Sequence, residues 1–318
     1  MIIYILKKIF TYLFILLLLS QLSFAVAYLA SGTIYNQYAF FYAYLGYFGD
    51  LLSGRLLISN YDTLSLGTII KQVLPPTIEL CLFAVLLSSI TGSLLGIIAG
   101  LKPDHWSNKL IQAGSLIISA CPIVWLAVLM MSLFASNHYL FPDSGSLIEQ
   151  INPKTGFPII DVFLTPDLNR SQELIKELQY LALPGIILSI HPCIITIQLI
   201  SQQVVKVAKQ KYIQAISIRE QSQLKILLRH MLPNVFPSII PRLTYNLTII
   251  LYSAIIIEII FKRPGLGTWV MQGFVDKNGL VIAIAIMICG VLLCSLNLFI
   301  MLITIMIQPL RHQELYDE

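Results

Sequence analysis

Long apolar runs alternate with polar, Pro- and Gly-bearing stretches along the chain. The runs cover about 9–29, 77–100, 110–135, 181–203, 238–261 and 280–307. Even the shortest, with 21 residues, meets the roughly 20 needed for a helix to cross a bilayer. The stretches between them carry backbone groups that lipid cannot satisfy. The pattern predicts an all-α polytopic membrane protein with six transmembrane helices. At the start of the chain, Lys7 and Lys8 precede an apolar run, and Ala25-Val26-Ala27 resembles a signal cleavage site. The run is longer than the 7–15 residues of a signal core, so it is read as an uncleaved first span.

Six spans put both ends of the chain on one side, and the basic residues choose the side. Lys7, Lys8, Lys102, Lys109, Lys206, Lys209, Lys211, Arg219, Lys225, Arg229, Arg242 and Arg311 fall in short segments on one side. The longer segment 136–180 on the other carries six acids against three bases. Both termini are therefore expected to be cytoplasmic. Eight aromatics between Tyr35 and Phe48 are expected along the external interface, where amphipathic rings are favoured.

Composition agrees. Only 11% of the 318 residues are charged and 57% are hydrophobic, with mean hydropathy +0.82. That is too little charge to cover a soluble body of this size. It excludes a cytosolic enzyme, a disordered chain and a nucleic-acid-binding domain. The five cysteines lie in apolar runs without CxxC spacing, which reads as packing rather than a disulfide framework or a zinc site.

The missing motifs narrow the function. No HExxH is present, and Ser144-Gly145 sits in an external loop, which argues against an intramembrane hydrolase. The spans carry few ionisable groups: Glu79 at the outer start of the second, Arg242 and Glu258 near the ends of the fifth, and His191 inside the fourth. An ion-coupled carrier usually holds charge in mid-membrane, so an ion-coupled secondary transporter or channel subunit is the second reading. No Gly-Lys pair exists for a Walker A loop. Energy for uphill transport would enter through a partner.

The stretch 211–233 reads as two short helices with a break at 220–222. Ile213 and Ile216 form one apolar edge; Leu224, Leu227, Leu228, Met231 and Leu232 form another. Ser222 is the expected N-cap of the second helix, and Pro233 is expected to end it. Such an exposed helical element suits docking into a groove on a cytosolic partner.

This stretch resembles the coupling loop of bacterial ABC importer permeases of the dipeptide/oligopeptide type. The family pattern is Glu-Ala-Ala, three residues, Gly, nine residues, Ile-x-Leu-Pro, with His common in the Ile place. Here Gln214-Ala215-Ile216, Glu220 and His230-Met231-Leu232-Pro233 occupy those positions. Glu220 replaces the glycine of the turn, where a positive φ would be strained for glutamate. Leu74-Pro75-Pro76-Thr77-Ile78-Glu79-Leu80, Gly96 to Gly100, Cys121-Pro122-Ile123-Val124-Trp125-Leu126-Ala127 and Phe141-Pro142-Asp143-Ser144-Gly145 resemble further family segments. So does Glu258-x-x-Phe261-x-x-Pro264-Gly265-Leu266-Gly267. Together these cover about 74–310 in order. The Met1-Ile2-Ile3 start, the Pro153 to Phe157 loop and Ile240-Pro241-Arg242-Leu243 are most similar to the Sap-type branch of these peptide permeases.

The resemblance implies a type I ABC importer permease fold. Residues 1–74 would form the first helix and an external segment, 75–310 the transmembrane domain with its coupling loop at about 205–237, and 311–318 a cytoplasmic tail. It implies a paralogous permease subunit, two ATP-binding subunits and a periplasmic solute-binding protein as partners in a bacterial inner membrane. ATP and magnesium would bind the ATPase subunits and no cofactor would bind this chain. ATPase coupling falls to Gln214, Ala215, Glu220, His230, Leu232 and Pro233, with Arg219, Lys225 and Arg229 added for their charge. Two polar stripes at helical spacing are candidate pathway-lining residues: His191, Gln198 and Gln202 on the fourth span, and Tyr245, Thr248 and Tyr252 on the fifth. Gly265 and Gly267 are expected to shape an external turn.

Overall fold

A computed structural model describes residues 2–29, 39–54, 66–134, 154–165, 170–219 and 222–307. Every regular element among them is helical. In chain order these are α1 (Ile2–Leu29), α2 (Phe40–Ser53), α3 (Leu66–Leu101), α4 (Trp106–Ser119), α5 (Ile123–Phe134), α6 (Pro158–Leu164), α7 (Arg170–Ala208), α8 (Lys211–Arg219), α9 (Gln223–Ile226), a π-turn (Leu227–Met231), α10 (Leu232–Phe261), α11 (Leu266–Val275) and α12 (Gly279–Ile307). Ser144, Phe141 to Gly145 and Glu220 lie outside the described residues.

Among the described residues, four segments are long and apolar enough to cross a membrane: Ile5–Leu29, Gly67–Leu101, Ser171–Ala208 and Gly279–Met306. Two bent pairs raise the number to six if each is one span. Trp106–Ser119 with Ile123–Phe134 turns through 94°, and Tyr245–Phe261 with Leu266–Val275 turns through 66°. The expectation of one uninterrupted helix over 110–135 is thus corrected. Pro122 has no N–H to continue α4 and disfavours helix at Cys121, and the chain turns there. Sequence pattern missed it because apolar residues continue on both sides of the break.

The chain forms two compact units: 1–80, 131–184 and 254–296 in one, and 81–130, 185–253 and 297–318 in the other. The core of the first unit joins α1, α2, α3 and α12 through Phe24, Ala43, Tyr47, Ile69, Leu280 and Ile284. The aromatic helix α2 buries Ala43 and Tyr47 and leaves Phe40, Phe41 and Tyr42 exposed. Phe24 packs edge-on against Phe40 and Tyr44, a geometry aromatic quadrupoles favour. Ser23 Oγ donates to the Ala283 carbonyl at 2.6 Å. Its one hydroxyl proton being used, it accepts from the Tyr47 hydroxyl, also at 2.6 Å. This polar thread ties α2 to α1 and α12. Burial pushes the Tyr47 phenol above its ordinary value.

In the second unit, α3 and α7 touch along a glycine stripe. Gly92, Gly96 and Gly100 recur every four residues, so they share one face. A Cβ on them would stand 2.8, 2.9 and 2.7 Å from the Cβ atoms of Thr196, Ile200 and Val204, themselves four apart on α7. In lipid, helix association rests on van der Waals contact, and small residues permit it. Further along α7, Thr196 Oγ1 donates to its own helix at Pro192 O and accepts from Asn246 Nδ2 of α10 at 3.1 Å.

Candidate functional site

Two places combine polar chemistry with defined geometry. The first is the hairpin of α8, α9 and the π-turn. Ser222 caps α9 through Lys225 N–H at 3.4 Å, as the sequence predicts. Ile213, Ile226, Leu227 and Met231 are buried with Ile200, Val204 and Val207 of α7 and with Val235 and Ile239 of α10. This apolar cluster seats the hairpin by one face. Tyr212 Oη of α8 accepts from Asn234 Nδ2 of α10 at 2.9 Å, and the same amide nitrogen donates to His230 O at 2.8 Å.

Pro233 does not end a helix. It is the second residue of α10 but lies inside a helical run unbroken from Gln223 to Phe261, so its missing N–H leaves the Arg229 carbonyl without the usual helical donor. The preceding residues form the π-turn, in which Leu232 N–H reaches back to Leu227 O. The extra residue in that turn splits the expected apolar edge: Leu227 and Met231 are buried, whereas Leu224 and Leu228 are 66% and 57% exposed.

The outward face of the hairpin carries Gln214, Ala215, Arg219, Lys225, Arg229 and Pro233, all exposed, with His230 and Leu232 half-buried. Ile218, at 88% exposed, lies among them. The structure therefore gathers eight of the nine predicted coupling residues on this hairpin and its junction with α10. Glu220 is the ninth.

The predicted pathway residues are more scattered. His191 and Gln198 are half-buried and Gln202 is exposed on α7. His191 Nδ1 has no hydrogen-bond partner among the described residues. On α10, Tyr245 and Tyr252 are exposed and Thr248 is half-buried. An apolar cavity of about 490 Å³ in the second unit is lined by α3, α4 and α7, including Thr91, Gly114 and Cys193. None of the six pathway residues lines it.

The second place was not assembled by sequence reasoning. In the first unit, Arg263 is 1% exposed, in the connection between α10 and α11. Its Nη2 donates to Glu177 Oε1 of α7 at 2.9 Å and stands 3.6 Å from Glu79 Oε1 of α3. Glu177 and Glu258 are fully buried. Glu258 Oε2 accepts from Gly267 N–H at 2.7 Å, at the start of α11, where a carboxylate also opposes the positive helix end. Thr77 Oγ1 accepts from Leu266 N–H at 2.8 Å, and Gly265 N–H donates to Thr268 Oγ1 at 3.1 Å. A Cβ at Gly265 would overlap the Glu258 carboxylate, and one at Gly267 the Ile255 carbonyl. The two glycines thus shape a turn, as expected, but they do so by letting a buried carboxylate close on it.

Glu79 Oε2 also accepts from Ile159 N–H at the start of α6, at 3.3 Å. The loop before α6 is organised by Asp161, whose carboxylate accepts from Thr155 N–H, Thr155 Oγ1 and Gly156 N–H at 2.8, 2.7 and 2.9 Å. Gly156 has φ 84° and packs onto the Lys71 carbonyl, where a Cβ would overlap. Pro75 leaves that carbonyl without its helical donor. The signal for this cluster was present as Glu79, Glu177, Glu258 and Arg263, four charges in or beside apolar runs. Arg263 and Glu79 are 184 residues apart, which no local pattern reveals.

Residues 92–312 match the family model described as "Binding-protein-dependent transport system inner membrane component", and the chain belongs to that family. It is therefore an inner-membrane permease component of an ABC transport system. It is 30% identical over 318 residues to the "Putrescine export system permease protein SapB" of Escherichia coli strain K12, covering 99% of both chains. It is 29% identical, over the same share of each chain, to the "Peptide transport system permease protein SapB" of Salmonella typhimurium strain LT2. It is 26% identical to the "Di/tripeptide transport system permease protein DppB" of Pseudomonas aeruginosa, covering 85% of this chain and 80% of the relative.

Proposed function

We propose that this chain forms half of the translocation pathway of a peptide ABC importer, with six spans and both termini in the cytoplasm. A paralogous permease subunit completes the pathway, a periplasmic solute-binding protein delivers the peptide, and two ATPase subunits bind ATP and magnesium. The chain itself binds no cofactor and hydrolyses nothing. The names of its relatives divide between peptides and putrescine; the likeness to a di/tripeptide permease favours peptides, with antimicrobial peptides as one class of cargo.

The observation that carries the coupling assignment is the two-faced hairpin. One face is held by a buried apolar cluster, so a push on it is transmitted to α7 and α10. The other face leaves Ile218, Leu224 and Leu228 exposed between Arg219, Lys225 and Arg229. Exposed apolar anchors with basic neighbours suit a groove on a cytosolic partner. Closure of the ATPase dimer would move the hairpin and rock the spans between two states.

The test is co-purification of the ATPase with the full complex. Leu224→Asp with Leu228→Asp is expected to detach the ATPase while the permease still inserts. ATPase retained after disruption of the whole 214–233 segment would overturn the assignment. Reconstituted complex should take up labelled peptide only with ATP. Uptake by the chain alone under an ion gradient would favour the ion-coupled carrier or channel, and outward putrescine movement would replace the peptide reading.

A further inference from the structure

The placement of the Arg263 guanidinium is uneven. One nitrogen, Nη2, faces both Glu177 Oε1 at 2.9 Å and Glu79 Oε1 at 3.6 Å. Among the described residues, Nε and Nη1 have no hydrogen-bond partner, and neither does Glu79 Oε1. A guanidinium has five N–H donors in a rigid fork and can hold a carboxylate through two of them at once. Here the fork is used at one tip, inside a site where Arg263 is 1% and Glu177 0% exposed. Buried polar groups in folded proteins are almost always paired, so this arrangement leaves a neighbouring one within reach. A shift of 0.7 Å, the difference between 3.6 and 2.9 Å, brings Glu79 to hydrogen-bonding distance and satisfies its free oxygen.

The two carboxylates stand on different helices, Glu177 on α7 and Glu79 on α3. Arg263 itself stands in the connection that turns α10 into α11. Whichever carboxylate holds the guanidinium therefore holds that turn. The third carboxylate is already committed, since Glu258 caps α11 at Gly267. It fixes the turn's own shape, while Leu266 N–H on Thr77 of α3 and the Arg263 guanidinium attach the turn to the neighbouring helices. Glu79 also holds α6 through Ile159, so an exchange would pass tension to a second short helix. Packed interiors with two alternative pairings move between discrete states rather than deforming smoothly.

We infer that Arg263 is a positioning residue with two partners, and that its guanidinium exchanges between Glu177 and Glu79 as the α10–α11 turn moves in the transport cycle. The link to the cycle rests on the permease reading above; the exchange itself does not. Each carboxylate is the reserve partner of the other. Replacing either one by its amide leaves the guanidinium a carboxylate to pair with, so both variants are expected to insert and accumulate.

The experiment uses electron-electron distance measurement between spin labels at Ile175 of α7 and Phe274 of α11, which are 56% and 58% exposed. The five native cysteines are replaced, and the full-length chain is studied alone and in complex with its ATPases in lipid nanodiscs. Two distance populations are expected. Glu79→Gln should deplete one at least threefold and Glu177→Gln should deplete the other, while Arg263→Lys, a charge without the fork, should broaden both. A single population, a shift in the same direction from both amides, or failure of either amide variant to accumulate would overturn the inference. In the complex, trapping with ATP and vanadate should change the ratio of populations at least threefold. An unchanged ratio with ATPase bound would refute the link to the cycle. Loss of the ATPase from the wild-type complex would instead refute the permease reading, leaving the opposite responses of the two amides to decide the exchange.

Discussion

A methyl group added at Gly96 tests whether the α3–α7 contact rests on the glycine stripe. The new Cβ of Gly96→Ala stands 2.9 Å from Ile200 Cβ and 3.0 Å from the Ile197 carbonyl oxygen. Carbon atoms in contact rest at about 3.5–4.0 Å, so the helices must part by about 0.6–1.1 Å at this level. They cannot hinge there, because Gly92 and Gly100 hold the same close approach one turn to either side. Overpacking of this kind costs about 1–3 kcal/mol. Alanine in place of glycine returns about 1 kcal/mol of helix propensity, so the single variant nets about 0–2 kcal/mol and is a weak test alone. The double-mutant cycle with Ile200→Gly removes that ambiguity. It deletes the opposing Cβ, and propensity terms cancel in the coupling energy. A coupling of about 1–2 kcal/mol is expected, within the usual range for residues in contact. The assay is equilibrium unfolding of the purified chain in detergent micelles, followed by helical circular dichroism. Coupling under about 0.5 kcal/mol would refute the argument that the stripe sets the helix separation.

Four further outcomes follow from named contacts. Asn246→Leu removes the hydrogen bond to Thr196 and should cost about 0.6–1.7 kcal/mol in the same unfolding assay. Ser222→Ala removes the α9 cap; hydrogen exchange in 223–226 should speed up by the equivalent of about 0.5–2 kcal/mol without loss of insertion. Gly267→Ala sets a Cβ against the Ile255 carbonyl and disturbs the Glu258 cap, so accumulation in the membrane should fall well below wild type, read by immunoblot. Tyr47 has a raised phenol pKa, so its contribution to stability is complete below pH 10.0 and lost as pH rises through the folded value. Tyr47→Phe should flatten that alkaline loss in a melting series.

Local chemistry was legible wherever the cause was local. Apolar runs long enough to span predicted six crossings, because hydrocarbon thickness sets the length, and the described residues hold four such helices and two bent pairs. The Ser222 cap and the glycine turn at 265–267 were also readable, since caps and turns depend on residues a few positions apart. Pro233 misled because proline usually stops a helix, whereas here the helical run passes through it just after the π-turn, with Leu227 and Met231 buried against α7 and Val235. The bend at 120–122 was hidden inside an unbroken apolar run.

By itself, the sequence determined that the chain is a helical membrane protein, which segments are apolar enough to cross, and which family it resembles. Each of these rests on composition, spacing or short motifs that survive without knowledge of neighbours. Tertiary structure alone decided which charges meet. Glu79, Glu177 and Arg263 stand far apart in the sequence, and packing makes them one cluster. The physical reason is that burying a charge is costly unless a partner is brought to it, and the partner is supplied by a helix far away in the chain.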